Sequence, residues 1–369
     1  MSRVPTFDLT AQLAGVRGEV DAAVARVLAS GRVILGPEVE AFERDFAATL
    51  GPDVHGVGVA SGTAALEVAL RALGVGPGDE VVTVANTAVA TVAAIRAVGA
   101  TPVFCDVVES SALMDLDLLP DALTAATKAV VPVHLYGNPV DVPALRARLG
   151  GREVAVLEDC AQATGARVGG VPVGALGDAA AFSFYPTKNL GAYGDAGLCA
   201  SRDAALAEAM RSVRGYGLVD GAARREGVNA RLDALQAAIL SAKLPHLPGW
   251  LGKRRALADR YAARLPESVA TFAAPAGSEP APHLYVVRLP GGVERDAVRA
   301  SLDRAGIATA VHYPVPIHRM PAYAFLGWGA GSLPVSERLA GEILTLPLFP
   351  ELAPEDVDRV CAALAEAIS

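Results

Sequence analysis

The stretch that decides the fold is AAAFSFYPTKNLG, residues 179–191. Its first half is a nearly continuous apolar run, which predicts a strand buried on both faces. A proline turn then delivers Lys188 among apolar and small residues. Lysines are rarely buried without a function, and burial lowers the pKa of the amine toward the neutral form that attacks carbonyls. A solvated loop lysine is the structural alternative, which this stretch alone leaves open.

Outward from this stretch, apolar runs alternate with helical patterns such as residues 63–73. Alternation of this kind predicts an α/β fold with a mostly parallel central sheet covered by helices. The predicted strands are residues 54–60, 80–85, 101–107, 129–135, 153–158, 179–184 and 197–201.

The pattern changes after about residue 229 and predicts a smaller α+β domain. A long helical stretch, 231–265, contains Pro245 and Pro248, which should kink or break it. We therefore predict a large domain over residues 1–247 and a small C-terminal domain over residues 248–369. The small domain's predicted elements are strands 283–289 and 308–313 and helices 294–305, 334–343 and 354–367.

Length and composition limit the possible classes of protein. The chain has 369 residues, enough for two domains, and a net charge of −8, which disfavours nucleic acid and anionic membranes as partners. The uncharged run at 81–95 is too short to span a bilayer, and the N-terminus lacks an apolar signal core, so we expect a cytoplasmic protein. Four cysteines without CxxC spacing predict reduced packing thiols and no metal site.

Two other motifs follow predicted strands. ASGTA, residues 60–64, would begin a helix whose N–H groups and dipole favour an anion such as a phosphate, unless Ser61 only caps that helix. EDCAQ, residues 158–162, places Glu158 and Asp159 at a strand's carboxyl end, where α/β sheets bind ligands. Asp159 could orient a metal, a ribose or a protonated ring nitrogen, or it could simply form a turn or a helix cap.

The predicted phosphate site at residues 60–64, Asp159 and Lys188 together fit one cofactor. Pyridoxal phosphate needs a cup for its phosphate, an acid for its ring nitrogen and a lysine for its aldehyde. The three pieces occur in that order, each after an apolar run. The sequence lacks the GxGxxG and GxxxxGK[ST] motifs that would indicate nicotinamide or nucleoside triphosphate binding.

With these motifs the chain resembles the DegT/DnrJ/EryC1/StrS family of sugar aminotransferases, which are fold-type I pyridoxal phosphate enzymes. The resemblance covers nearly the whole chain. The similar blocks are ILGPEVEAFE, VASGTAALEVAL, PVHLYGNPVDVPAL, LEDCAQATGA, FSFYPTKNLGAYGDAG, GVNARLDALQAAIL and HYPVPIHRMPAY.

The resemblance implies a role for each of three residues around the cofactor ring. Lys188 would bond covalently to the cofactor aldehyde, Asp159 would pair with the ring nitrogen, and Gln162 would lie against the ring or its O3′ atom. At Ala88 the family often has an aromatic residue stacked on the ring. Here either the ring face is less covered or another side chain covers it.

The resemblance implies that the cofactor phosphate is bound by the backbone N–H groups of Gly62 and Thr63 and by the Ser183 hydroxyl. Asn229 would reach the phosphate from a second subunit, with Arg231 helping to fix its loop on the substrate side, so the active form would be a homodimer.

Tyr185, His312 and Tyr313 would lie near the sugar, although His312 could instead be a satisfied packing histidine. For His134 we predict a structural role.

The implied reaction is amino transfer from glutamate to a nucleotide-linked keto-deoxyhexose, most often a dTDP sugar, in deoxyaminosugar and antibiotic biosynthesis. The phrase HYPVPIH, residues 312–318, favours a 3-keto over a 4-keto substrate, because C4-aminating relatives often carry a phrase like KPLHLQP there. The alternatives are a 4-aminotransferase, a cyclitol-ketone aminotransferase and, more distantly, a non-catalytic cofactor-binding regulator. Because Lys188 is present, the family's histidine-bearing dehydratase subgroup is disfavoured.

Overall fold

The computed structural model describes residues 3–369 and has a seven-stranded sheet at its centre. The helices are α1 (Leu9–Ser30), α2 (Pro37–Leu50), α3 (Gly62–Ala72), α4 (Val89–Ala97), α5 (Leu119–Ala122), α6 (Val142–Arg148), α7 (Ala204–Val213), α8 (Ala234–Lys243), α9 (Leu247–Arg264), α10 (Arg295–Arg304), α11 (Pro334–Glu342) and α12 (Pro354–Ile368). The strands are β1 (His55–Val59), β2 (Glu80–Val84), β3 (Thr101–Cys105), β4 (Thr127–Val130), β5 (Ala155–Asp159), β6 (Arg167–Val168), β7 (Val171–Pro172), β8 (Ala179–Ser183), β9 (Gly197–Ser201), β10 (Leu218–Val219), β11 (Ala222–Ala223), β12 (Ala270–Thr271), β13 (Ser278–Glu279), β14 (Tyr285–Arg288) and β15 (Ile343–Leu346).

The central sheet has the strand order β1-β9-β8-β5-β4-β2-β3. The pairs from β8 to β3 are parallel, and only β9 runs against its neighbours β1 and β8. This confirms the predicted α/β class with a mostly parallel sheet. Because β1, β2, β5 and β8 run in one direction, their carboxyl ends meet at the same edge.

Helices cover both faces of this sheet, because its strands are apolar on both sides. Along β8, Phe182 packs with α1, α2 and α8, whereas the neighbouring Ala181 packs with α3, α4 and α7. The four cysteines are free and buried, as predicted for packing thiols. Among the described residues, no helix combines the length and apolarity that crossing a bilayer would require.

The C-terminal part contains the three-stranded antiparallel sheet β12-β14-β15, packed with α10 and α12. The predicted strand at 308–313 is wrong. Only Ala310 pairs with Thr345 of β15. The His312 carbonyl accepts a hydrogen bond from the Tyr136 hydroxyl instead of from a neighbouring strand, and Pro314, which follows, has no N–H donor. The predicted helix 334–343 ends at Glu342, where β15 begins.

The predicted interruption of the long helix is confirmed. A 3-10 turn, Leu244–His246, separates α8 from α9 at Pro245. The predicted domain boundary falls at the first turn of α9. Leu251 of this helix lies in the core beneath the large sheet, whereas Tyr261 lies in the core of the small sheet. Near the N-terminus, Val4 pairs with Ile307 and also packs in the small core.

Candidate active site

The candidate site lies where the carboxyl ends of β1, β5 and β8 meet. The chain continues from these ends into Gly62, Asp159 and Ser183. The sheet thus brings together residues that are as many as 121 positions apart in the chain, at the edge where such sheets bind ligands.

The N-terminus of α3 packs directly against the end of β8. A Cβ atom on Gly62 would lie 2.6 Å from the Cβ atom of Ser183, so this close contact requires glycine. Ser61 does cap α3, since its hydroxyl accepts a hydrogen bond from the Ala64 N–H at 3.1 Å. The cap leaves the N–H groups of Gly62 and Thr63 at the first turn, where intrahelical acceptors do not reach. Capping and anion binding are therefore compatible here.

Glu158 and Asp159 point to opposite faces of β5, as neighbours on a strand must. The Asp159 carboxylate is 4% exposed and accepts hydrogen bonds from Thr91 Oγ1 at 2.9 Å and the Ala161 N–H at 3.1 Å. Burial raises the pKa of Asp159, although the two hydrogen bonds and the charge of Lys188 oppose this rise. Thr91 in turn lies 3.1 Å from the Thr87 hydroxyl, which supports it from behind.

The Glu158 carboxylate is fully buried and belongs to the protein's framework. It accepts hydrogen bonds from the N–H groups of Gly174, Leu176 and Gly177 and pairs with His134 Nε2 at 3.0 Å. His134 Nδ1 accepts from the Val140 N–H, so its other nitrogen carries the proton. This network confirms the structural role predicted for His134, and it holds the pKa of Glu158 below its ordinary value.

Lys188 lies at the tip of a tight loop beyond β8. Its N–H donates to the Tyr185 carbonyl at 2.8 Å, and the Ala192 N–H closes the loop on the Phe184 carbonyl at 2.8 Å. Burial lowers the pKa of the Lys188 amine to about 8, and the nearby Asp159 carboxylate only partly opposes this. The amine is therefore far more available as a nucleophile at neutral pH than an ordinary lysine.

One wall of the site is a hydrogen-bonded network around the 312–313 segment. Gln162 accepts from the Tyr136 N–H at 2.8 Å and donates to the Tyr313 hydroxyl at 2.9 Å. The Tyr136 hydroxyl donates to the His312 carbonyl at 2.5 Å. Gln162 thus also has a positioning task within the protein, beside the contact with the cofactor expected for it.

A cavity of about 170 Å³ is lined by His283, His312 and Thr187, the residue before Lys188. His312 Nδ1 lies 2.9 Å from Thr345 Oγ1, and burial with the charge of Lys188 lowers the pKa of His312 to about 4. Sequence reasoning missed His283, which is 5% exposed and whose Nδ1 has no hydrogen-bond partner among residues 3–369. A single histidine before an apolar strand carried no signal that it would approach Lys188.

The remaining predicted residues lie at the margins of this group. Tyr185 is 52% exposed. Ala88 is the N-cap residue of α4, and its side chain has no ring that could stack on a cofactor. Asn229 is exposed, and its Oδ1 accepts a hydrogen bond from Arg231 Nε at 3.1 Å. Arg231 also pairs with Val59 of β1 and lies over the Tyr216 ring. The structure therefore places Asn229 and Arg231 on an exposed edge rather than within the Lys188 cluster.

The donor set fits pyridoxal phosphate. The edge offers an amine with a lowered pKa, a buried carboxylate and a helix N-terminus beside the Ser183 hydroxyl. These are the groups that an aldehyde, a pyridinium nitrogen and a phosphate require.

The comparisons with known proteins agree with this geometry. The model of the DegT/DnrJ/EryC1/StrS aminotransferase family matches residues 16–365. The chain is 46% identical over 368 residues to a Streptomyces venezuelae protein named dTDP-3-amino-3,4,6-trideoxy-alpha-D-glucose transaminase, covering 99% of this chain and 96% of the relative. It is 47% identical to the erythromycin biosynthesis sensory transduction protein EryC1 of Saccharopolyspora erythraea, covering 98% of each. The crystal structure of DesV from S. venezuelae superposes with a TM-score of 0.96 at 45% identity, covering 100% of this chain and 99% of that one.

Proposed function

The chain belongs to the DegT/DnrJ/EryC1/StrS aminotransferase family, and we propose that it transfers an amino group from glutamate to C3 of a dTDP-linked 3-keto-deoxyhexose. The observation that carries this proposal is Lys188, an amine with a lowered pKa beside the buried carboxylate of Asp159. The S. venezuelae relative named as a dTDP-3-amino sugar transaminase supports the substrate class and the choice of C3.

Pyridoxal phosphate, when bound, supplies an electron sink for the carbon that loses its proton. The N–H groups of Gly62 and Thr63 and the Ser183 hydroxyl would hold the phosphate. Lys188 Nζ would remove the proton from the donor's amine-bearing carbon and deliver protons in the reverse direction. The Asp159 carboxylate would keep the ring nitrogen protonated, with Thr91 fixing its orientation.

The regiochemistry would depend on the wall formed by His312 and Tyr313. Tyr313 is fixed by Gln162, and His312 by Thr345, so both could offer hydrogen bonds of defined direction to a sugar. Fixed contacts matter because a misplacement of about 1 Å at the reacting carbon costs roughly a hundredfold in rate.

The test is a set of incubations of the purified holoenzyme with glutamate, with products identified by NMR. dTDP-4-keto-6-deoxyglucose should give an amino sugar only after a 3,4-ketoisomerase is added. Direct formation of the 4-amino sugar would overturn the choice of C3, and turnover of a cyclitol ketone alone would overturn the sugar class. Cofactor binding without turnover of any ketone would instead support the regulator.

We also propose that the enzyme works as a cytoplasmic homodimer in which Asn229 acts on the partner's site. Next to Asn229, the β10–β11 hairpin exposes Leu218 and Val219 at 49% and 41%, which suits a subunit contact. Four buried free thiols suit a reducing compartment.

Mixing Lys188→Ala subunits with Asn229→Ala subunits tests the shared site. If Asn229 acts across the dimer, a mixed dimer carries both defects in one site and leaves the other intact. We expect partial activity to return, up to about half of the wild-type rate per mixed dimer. Heterodimers that form without any recovery would contradict the shared site.

A further inference from the structure

Lys243 is a fully buried lysine, and it contacts the loop that carries the partly buried Lys188. It is the last residue of α8 and is 0% exposed. Its ammonium group donates a hydrogen bond to the carbonyl oxygen of Gly191, three residues beyond Lys188. The ring centroids of Tyr193 and Trp250 lie 4.7 and 5.7 Å from Nζ, within the range of cation–π attraction.

The position of Lys243 is costly for a folded protein. Within residues 3–369 no carboxylate lies at ion-pair distance from it. Burial lowers the pKa of its amine to about 8, and the charge of Glu351 only partly opposes this. A buried ammonium without a paired anion costs folding free energy, which an apolar side chain of similar size would avoid. The chain has only four lysines among its 32 basic residues, so this one is not part of a general lysine-rich surface.

The Lys188 loop, residues 184–192, is held from two sides. On one side, buried Asn189 donates through Nδ2 to the Ala281 carbonyl at 3.0 Å. On the other, Gly191 packs so closely on Pro186 that a Cβ atom would lie 2.2 Å from the Pro186 carbonyl oxygen. Lys243 holds the Gly191 carbonyl at that second point. A compact ammonium suits this narrow space between two aromatic rings better than the planar fork of arginine.

We propose that Lys243 is a positioning residue that clamps the Lys188 loop at Gly191 and thereby keeps the Lys188 amine buried beside Asp159. Without the clamp, the Gly191 side of the loop relaxes and water reaches Lys188. The amine then loses the desolvation that makes it reactive. The inference rests on the proposed function only in treating Lys188 as the reacting amine.

The primary test measures Lys188 in the cofactor-free protein, by pH-dependent acylation of the amine read by mass spectrometry. In the wild type, Lys188 should titrate near pH 8, under the influence of Asp159, His283 and His312. In Lys243→Met we expect that midpoint to rise by about one pH unit or more, toward the ordinary lysine value, because the loop admits water. The matched control is Lys128→Met, an exposed lysine on β4, which should leave the midpoint unchanged.

Kinetics of the holoenzyme supply the second measurement. Lys243→Met should lower kcat by about tenfold while the KM values for both substrates stay within about twofold, because the reacting amine is misplaced and the binding groups are not. Its melting temperature should equal or exceed that of the wild type, since an unpaired buried charge is gone. Lys243→Leu, which likewise offers no donor to the Gly191 carbonyl, carries the same expectations if the methionine variant does not fold.

An unchanged Lys188 midpoint in the folded variants would overturn the proposal, as would a kcat loss that merely follows a fall in melting temperature. Because the acylation needs neither cofactor nor substrate, its outcome is independent of the reaction assigned to the enzyme.

Discussion

Glu158 and Asp159 are adjacent carboxylates on one strand, and the protein surrounds them very differently. Glu158 is fully satisfied by three backbone N–H groups and His134, and its pKa is lowered. Asp159 has two donors, and burial raises its pKa. A buried carboxylate whose oxygens all accept hydrogen bonds from the protein stabilises the fold. A buried carboxylate with fewer donors can still accept a hydrogen bond from a bound cation. We call the side of β5 that carries Glu158 the framework face and the side that carries Asp159 the site face. Mutations on the two faces should therefore have different effects on stability and on activity.

The largest effect on the site face should come from Lys188→Ala. The substitution would remove both the amine that we propose to bond to the cofactor and the proposed proton-transferring base, so we expect turnover to disappear while the melting temperature stays within a few degrees. Borohydride reduction of the wild-type holoenzyme, followed by peptide mapping, should place the cofactor on Lys188. A labelled peptide containing another lysine would contradict the assignment.

The next effect is expected for Asp159→Asn, which keeps the shape and removes the charge. We expect kcat to fall by about a hundredfold, the scale on which preorganised electrostatic groups act. Because the folded protein favours the protonated form of Asp159, the neutral amide should keep or raise stability at pH 7. A near-normal rate with cofactor bound would show that Asp159 is a structural cap.

On the framework face, Glu158→Gln should destabilise the fold by about 3 kcal/mol, because its amide N–H groups would oppose backbone N–H donors. The lowered pKa of Glu158 contributes stability above its unfolded value near 4.5, and this contribution is lost as the pH falls. Denaturant unfolding should therefore show a smaller loss of stability between pH 6 and 4 in the variant than in the wild type. Loss of activity without loss of stability would place Glu158 in the site instead.

A smaller effect is expected for Thr91→Val, which removes one hydrogen bond from Asp159 and preserves volume. We expect kcat to fall about tenfold, with little change in either KM, because the carboxylate loses its orientation but keeps its charge. Thr87→Val, one hydroxyl further from Asp159, is the matched comparison and should cost less. Equal losses in both variants would mean that the two hydroxyls act as a packing unit.

The sequence predicted the elements near the sheet well, because strands and turns leave local patterns. Strand 197–201 matches β9, and the separation of α8 from α9 follows from Pro245. The site residues that escaped prediction are those whose roles arise from distant contacts. His283 meets the Lys188 neighbourhood across nearly 100 residues, and Lys243 looks like any helical lysine until α8 is packed.

The errors in the C-terminal part have the same origin. The segment 308–313 has the composition of a strand, yet its conformation is set by side chains from earlier in the chain such as Gln162 and Tyr136. Periodicity describes what a segment can form in isolation, and it contains no information about a partner 150 residues away.

Helix α9 has a consequence for folding. Its first turns are buried with the large sheet through Trp250 and Leu251, and its later turns with the small sheet through Leu257 and Tyr261. Neither core can unfold without the loss of apolar contacts made by the same helix. Val4, near the N-terminus, also packs in the core of the β12-β14-β15 sheet and pairs with Ile307. Chemical denaturation should therefore melt both halves in a single cooperative transition. The fluorescence of Trp250 in α9, read in a Trp328→Phe background, and backbone circular dichroism should change at the same denaturant concentration.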